Sequence, residues 1–137
     1  MYAILKTIAE SNKWEFEYGR SDYNNLYDAQ EKKLIPQIFL DPVVIEKQFG
    51  EYNEQISQTE GGSFMILVSS DIDEESYDIR YTKYIQPLIS TSMGIIESAI
   101  SCDETYVINS WRLTEVINVF DYNMDGIICT YNLTKDI

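Results

Sequence analysis

The sequence has no histidine, two cysteines and three prolines in 137 residues. Without histidine there is no Ser-His-Asp or Cys-His arrangement, no usual general base, and no usual zinc or non-haem iron ligand set. A mechanism built on carboxylates, lysine or tyrosine stays open. Cys102 and Cys129 follow no secretory signal and read as reduced thiols; Cys129 sits in an apolar strand pattern and reads as core. Long apolar runs are also missing. The longest, Phe64-Met65-Ile66-Leu67-Val68, has strand length, far short of the roughly 18 residues of a membrane span. The start, Met1-Tyr2-Ala3-Ile4-Leu5-Lys6, lacks the basic region of a signal peptide. Positive charge is scarce: ten Lys and Arg stand against 23 Asp and Glu, for a net charge of −13. Such a chain lacks the clustered cations that displace counterions from nucleic acid or hold an anionic membrane. The surplus fits a surface that repels DNA, one that binds a basic partner, or solubility alone.

Apolar residues make up 45% of the chain, enough for a core. The length fits one domain, 1–137. Ile4, Leu5, Ile8 and Ala9 form one stripe of a short helix over 1–12. Trp14-Glu15-Phe16-Glu17-Tyr18 alternates as a half-buried strand does. Residues 19–33 are polar and read as a long loop anchored by Tyr23, Leu26 and Tyr27. Residues 34–48 read as extended, with Pro36 and Pro42 pointing to an edge or kinked strand. A further strand is expected near 53–58, a turn at Gly61-Gly62, and a strand over 63–70. Asp71 to Ser76 supplies caps for a long helix over about 74–101, with a kink or break near Ile85 because of Pro87. Strands are expected at 106–110, 114–120 and 127–133. The last two flank Asp125-Gly126, read as a hairpin turn in which Gly126 takes a positive φ. The expected fold class is therefore α+β: an antiparallel sheet, one long helix packed on it, a short N-terminal helix and a final β-hairpin.

Asp121-x-Asn123-x-Asp125-Gly126 matches the first half of a calcium loop. The match then fails, with Cys129 at the ninth position, Asn132 at the twelfth, and flanks of strand composition. The turn reading explains these side chains as bonding their own backbone. Asp71, Asp73, Glu74 and Glu75 form an acidic cluster whose plain reading is helix caps and a solvated face. No metal, cofactor or catalytic residue is expected. Eleven tyrosines is a high count, and tyrosine is enriched where a surface is half buried in a partner. The candidate interface residues are Tyr23 and Tyr27 in the long loop, and Trp111 with Arg112 before the last strands. Trp111 and Arg112 read equally as a loop anchor.

Two segments, Ile35-Pro36-Gln37-Ile38-Phe39-Leu40-Asp41-Pro42 and Val116-Ile117-Asn118-Val119-Phe120-Asp121-Tyr122-Asn123-Met124-Asp125-Gly126, carry a resemblance. With the order of elements, the chain resembles the tail terminator and tail completion proteins of bacteriophages, in the style of phages that infect Bacteroidetes. The resemblance implies a non-enzymatic structural subunit of the virion, assembled in the host cytoplasm. It would form a homo-oligomeric ring, hexamer or dodecamer, at the tail end or head–tail junction and contact neighbouring phage head or tail proteins. DNA would pass through without specific binding, the acidic lumen letting it slide, and no membrane would be involved. The competing expectation is a small acidic binding protein that inhibits a basic toxin or nuclease. A carboxylate enzyme using Asp71, Asp73, Glu74, Asp121 or Asp125 is the third.

Overall fold

The computed structural model describes residues 1–19, 35–71, 73–119 and 124–135. The first helix, α1 (Tyr2–Asn12), buries Leu5, Ile8 and Ala9, the stripe expected from its periodicity. It ends where Lys13 turns into the left-handed region (φ 60, ψ 36) and its N–H returns to the carbonyls of Ala9 and Glu10.

Six strands follow: β1 (Glu15–Tyr18), β2 (Gln37–Leu40), β3 (Val44–Phe49), β4 (Gln55–Ser69), β5 (Tyr106–Val119) and β6 (Met124–Lys135). They form one sheet in the order β1-β2-β4-β6-β5, with β3 beside β4. The fold is α+β, as expected, but its sheet is mixed and larger than expected. β1 and β2 are parallel, which corrects the antiparallel expectation. Parallel neighbours need a crossover of a dozen or more residues, and the stretch between Tyr18 and Gln37 is long enough. Side-chain alternation carries no information about strand direction.

Two further corrections concern strand length. Gly61 and Gly62 are not a turn but lie inside β4, which runs unbroken for 15 residues. They pair with Val44 on one side and with Asn132 and Tyr131 on the other. The strands expected at 106–110 and 114–120 merge into β5, whose pairing with β6 shifts register at 108/110 and 116/119. β5 and β6 are antiparallel neighbours; the residues that join them, 120–123, lie outside the described residues. Gly126 belongs to β6, facing Leu67 and Val116. Glycine is required there by close approach, not by a turn: a Cβ would collide with the Ile66 carbonyl oxygen and lie 2.9 Å from Leu67 Cα.

The long helix starts at Tyr77, not Glu74. Ser76 keeps an extended conformation and its hydroxyl caps the Ile79 N–H at 3.4 Å. α2 (Tyr77–Arg80) passes through widened i→i+5 turns at Tyr81–Ile85 and Leu88–Ser92 into α3 (Met93–Cys102). Pro87 causes no break: Gln86 (φ −56, ψ −43) and Pro87 (φ −62, ψ −32) keep helical dihedrals. Widened turns next to a proline move the carbonyl that its ring would otherwise strike. They also fit the burial pattern. Arg80, Tyr84, Leu88, Ser92, Ile96 and Ile100 are all buried at a spacing of four. In an ideal α-helix of 3.6 residues per turn that spacing drifts about 40° per step, roughly 200° over five steps. Widened turns absorb the drift and keep the row on the sheet. Tyr77 and Tyr81 fall off the row and are exposed, whereas Tyr84 is buried.

The helices pack on one face of the sheet. Ile38, Leu40, Phe64, Ile66, Ile127, Cys129, Tyr131 and Leu133 meet Leu5, Ile8, Ile85, Met93, Ile96 and Ile100 there. The opposite face holds a smaller cluster of Phe39, Met65, Leu67 and Met124. Among the described residues no helix is long and apolar enough to cross a membrane.

Candidate interaction surface

Arg80 organises the end of the molecule where the acidic cluster lies. Its side chain is 2% exposed, and the guanidinium pairs with the carboxylate of the fully buried Asp125 side chain at 3.1 Å. It also donates to the Glu74 carbonyl at 2.8 Å, the Asp71 carbonyl at 2.8 Å and the Ser70 hydroxyl at 3.0 Å. The segment between β4 and α2 is thereby tied to β6. Asp71 accepts the Asp73 N–H at 3.0 Å and Glu74 accepts the Ser76 N–H at 2.9 Å, which are local turn and cap bonds. Asp125 is thus committed to Arg80, which counts against the calcium-loop match; Asp121 and Asn123 lie outside the described residues. Among the described residues no group of three metal-ligating side chains comes together.

Tyr23 and Tyr27 lie outside the described residues. Trp111 and Arg112 are consecutive on β5 and therefore point to opposite faces. Trp111 is half-buried on the helix face, 5.8 Å from Phe64 and 6.4 Å from Tyr131 between ring centroids. Arg112 is exposed on the opposite face, across from Thr130.

Burial holds the groups around this aromatic cluster in their protonated forms. Desolvation, with a smaller contribution from Glu97, pushes the Cys129 thiol up to about 12. That is the reverse of what a nucleophilic thiol needs. Desolvation and then Glu60 raise Tyr131 and Tyr106. Glu60 itself accepts from the Met1 amine at 3.2 Å. Beside that pair, Met1, Tyr2, Tyr18, Val43, Ile45 and Glu60 line an open cleft of about 400 Å³.

The most exposed apolar surface is on β3 and the first half of β4. All six side chains of β3 are exposed. Val44 (68%), Ile45, Phe49, Tyr52 (87%) and Ile56 are accessible to solvent. β3 pairs with Gln55–Gly61, while β6 reaches only to Gln58 through its last described residue, Lys135. Residues 48–57 therefore extend past the described part of β6 as a two-stranded tip. The tip is closed by the Gly50 N–H bond to the Glu54 carbonyl at 2.8 Å, with Asn53 at φ 64. Among the described residues nothing pairs with the outer edge of β3, nor with the outer edge of the 14-residue β5. β5 also exposes Val107, Ile108 and Leu113. Among the described residues the sheet thus ends in β1 and β3 on one side and in β5 on the other, with exposed apolar side chains along β3 and β5. Open edges of this kind template strand addition unless they are blunted or covered. The sequence reading missed this surface, since Val44, Ile45 and Ile56 have strand composition and nothing local separates an exposed strand from a buried one. Compared with known proteins, the chain matches no family model and no curated protein.

Proposed function

We propose that the chain is a non-enzymatic structural subunit that assembles with copies of itself into a closed ring, as a phage tail terminator or head–tail connector does. The observation that carries this reading is the pair of open sheet edges, β3 and β5, on opposite sides of one sheet. Two different edges that meet head to tail produce a heterologous contact, and repeated heterologous contacts close into rings or run on as filaments. The exposed apolar side chains of β3 and the 48–57 tip supply contact area that the monomer leaves in water. In this ring, β5 and β6 form the final hairpin of a tail-terminator-like arrangement and carry one edge, and the β3–β4 tip reaches a neighbouring ring or subunit.

The net charge of −13 gives such a ring a use for its acidity, since a negative lumen lets DNA pass without sticking. The same charge supports the second reading, an acidic inhibitor of a basic toxin or nuclease. Negative-stain electron microscopy of the concentrated protein separates the two. Uniform annular particles are expected for the ring subunit. Small single particles, together with tight and salt-sensitive binding to a basic nuclease, would overturn it in favour of the inhibitor.

A further inference from the structure

We infer that the ring contact is made by antiparallel addition of β5 of one copy to the open edge of β3 of the next, with each sheet continuing into its neighbour. This rests on the ring reading and specifies its interface.

The charges on the two edges carry the inference. In a chain of net charge −13, β3 holds one Glu and one Lys, and β5 holds one Arg and one Glu. Both open edges are therefore neutral, and the acidic surplus lies elsewhere. A basic partner would be recognised through the surplus, whereas neutral edges suit a partner as acidic as the chain itself. A second copy meets that condition without like-charge repulsion at the contact.

The faces on which these charges sit fix the direction of addition. Lys47 lies across from Gln58, in line with Ile45 and Glu60 on the helix face, and Glu46 lies across from Thr59 on the opposite face. On β5, Glu115 aligns with Ile127 on the helix face and Arg112 with Thr130 on the opposite face. Within the sheet β3 and β5 run in opposite directions, because β3–β4, β4–β6 and β6–β5 are all antiparallel. A copy placed alongside in the same orientation thus brings its β5 antiparallel to β3 with the two faces preserved. Glu46 then shares a face with Arg112, and Lys47 with Glu115. Parallel addition requires turning the copy over, which exchanges the faces and sets Glu46 with Glu115 and Lys47 with Arg112. Like charges across a strand pair are destabilising, so the antiparallel, face-preserving contact is selected. It also puts Ile45 on the same face as Leu113, both exposed in the single chain.

Charge reversal tests the contact, and all four residues are exposed. One variant carries Glu46→Lys with Lys47→Glu, and a second carries Arg112→Glu with Glu115→Arg. Each is compared with wild type by sedimentation velocity at equal concentration, with melting temperature as the check on folding. The expected result has three parts: wild type assembles; each variant alone needs at least tenfold higher concentration to do so; an equimolar mixture of the two regains wild-type assembly. Recovery in the mixture follows because the two unchanged edges pair as in wild type and the two reversed edges are complementary to each other, so that alternating copies make every contact. An assembled wild type whose assembly neither variant alters would overturn this interface and leave the ring reading standing. A wild type that stays monomeric at every concentration would overturn both.

Discussion

Strand β4 passes through two environments. From Phe64 to Ser69 every side chain is buried, between the helices on one face and the Phe39–Met124 cluster on the other. From Gln55 to Thr59 none is, and its partner there, β3, is exposed along its whole length. The inner half is held by packing. The outer half is held by backbone pairing, which in a two-stranded ribbon is marginal without a covered face. The difference shows where folding free energy is concentrated and which apolar side chains folding does not use. Val44, Ile45, Phe49 and Ile56 contribute little burial to the single chain, and the proposed ring contact would cover the three that lie on β3.

Breaking the inner region should have the largest effects. Asp125→Ala leaves Arg80 buried without its carboxylate and should cost about 3–5 kcal/mol in denaturant unfolding. A loss below about 1 kcal/mol would mean that the pair does not anchor the region. Gly126→Ala puts a Cβ against the Ile66 carbonyl and should cost about 3 kcal/mol, from overpacking rather than from a turn.

A pH titration of stability follows next. With the Cys129 thiol raised from 9.0 to about 12 in the folded state, the unfolded chain loses that proton first. Stability is then fully present below pH 9 and falls as pH rises from 9 toward 12. In the native protein at pH 8, exposed Cys102 should react with a thiol reagent while buried Cys129 should not; equal rates would contradict the burial. Tyr131→Phe removes a buried hydroxyl with no hydrogen-bond partner among the described residues. It should be neutral or stabilising by up to about 1 kcal/mol.

The smallest stability effect belongs to the outer region. Ile45→Lys should change unfolding free energy by no more than about 0.5 kcal/mol and yet impair assembly. A large loss of stability would erase the contrast between the two halves of β4.

Elements set by local periodicity were legible in the sequence. The α1 stripe and the apolar run at Phe64–Val68 fold as their patterns require; in β1 Phe16 is half-buried as the alternation requires, but Tyr18 is exposed. The helical period from Tyr77 to Ile100 was legible too, but not its continuity past Pro87, which in the sequence points to a kink or break near Ile85 where the structure has widened turns. Features that depend on distant partners were not. Arg80 and Asp125 are 45 residues apart, and nothing near either one marks the other. Gly61-Gly62 carries a turn composition that pairing on both sides overrides. Of the candidate interface residues, Trp111 and Arg112 both lie on β5, the edge strand of the sheet, the first half-buried and the second exposed. Ile45 and Glu46 gave no signal, because exposure of a strand is a tertiary property.

Native mass spectrometry over a range of concentrations tests the central claim, assembly through the two open edges, most directly. The expected result is a discrete closed species, of six or twelve copies for a phage ring, coexisting with monomer at low concentration. A monomer at every concentration would contradict it.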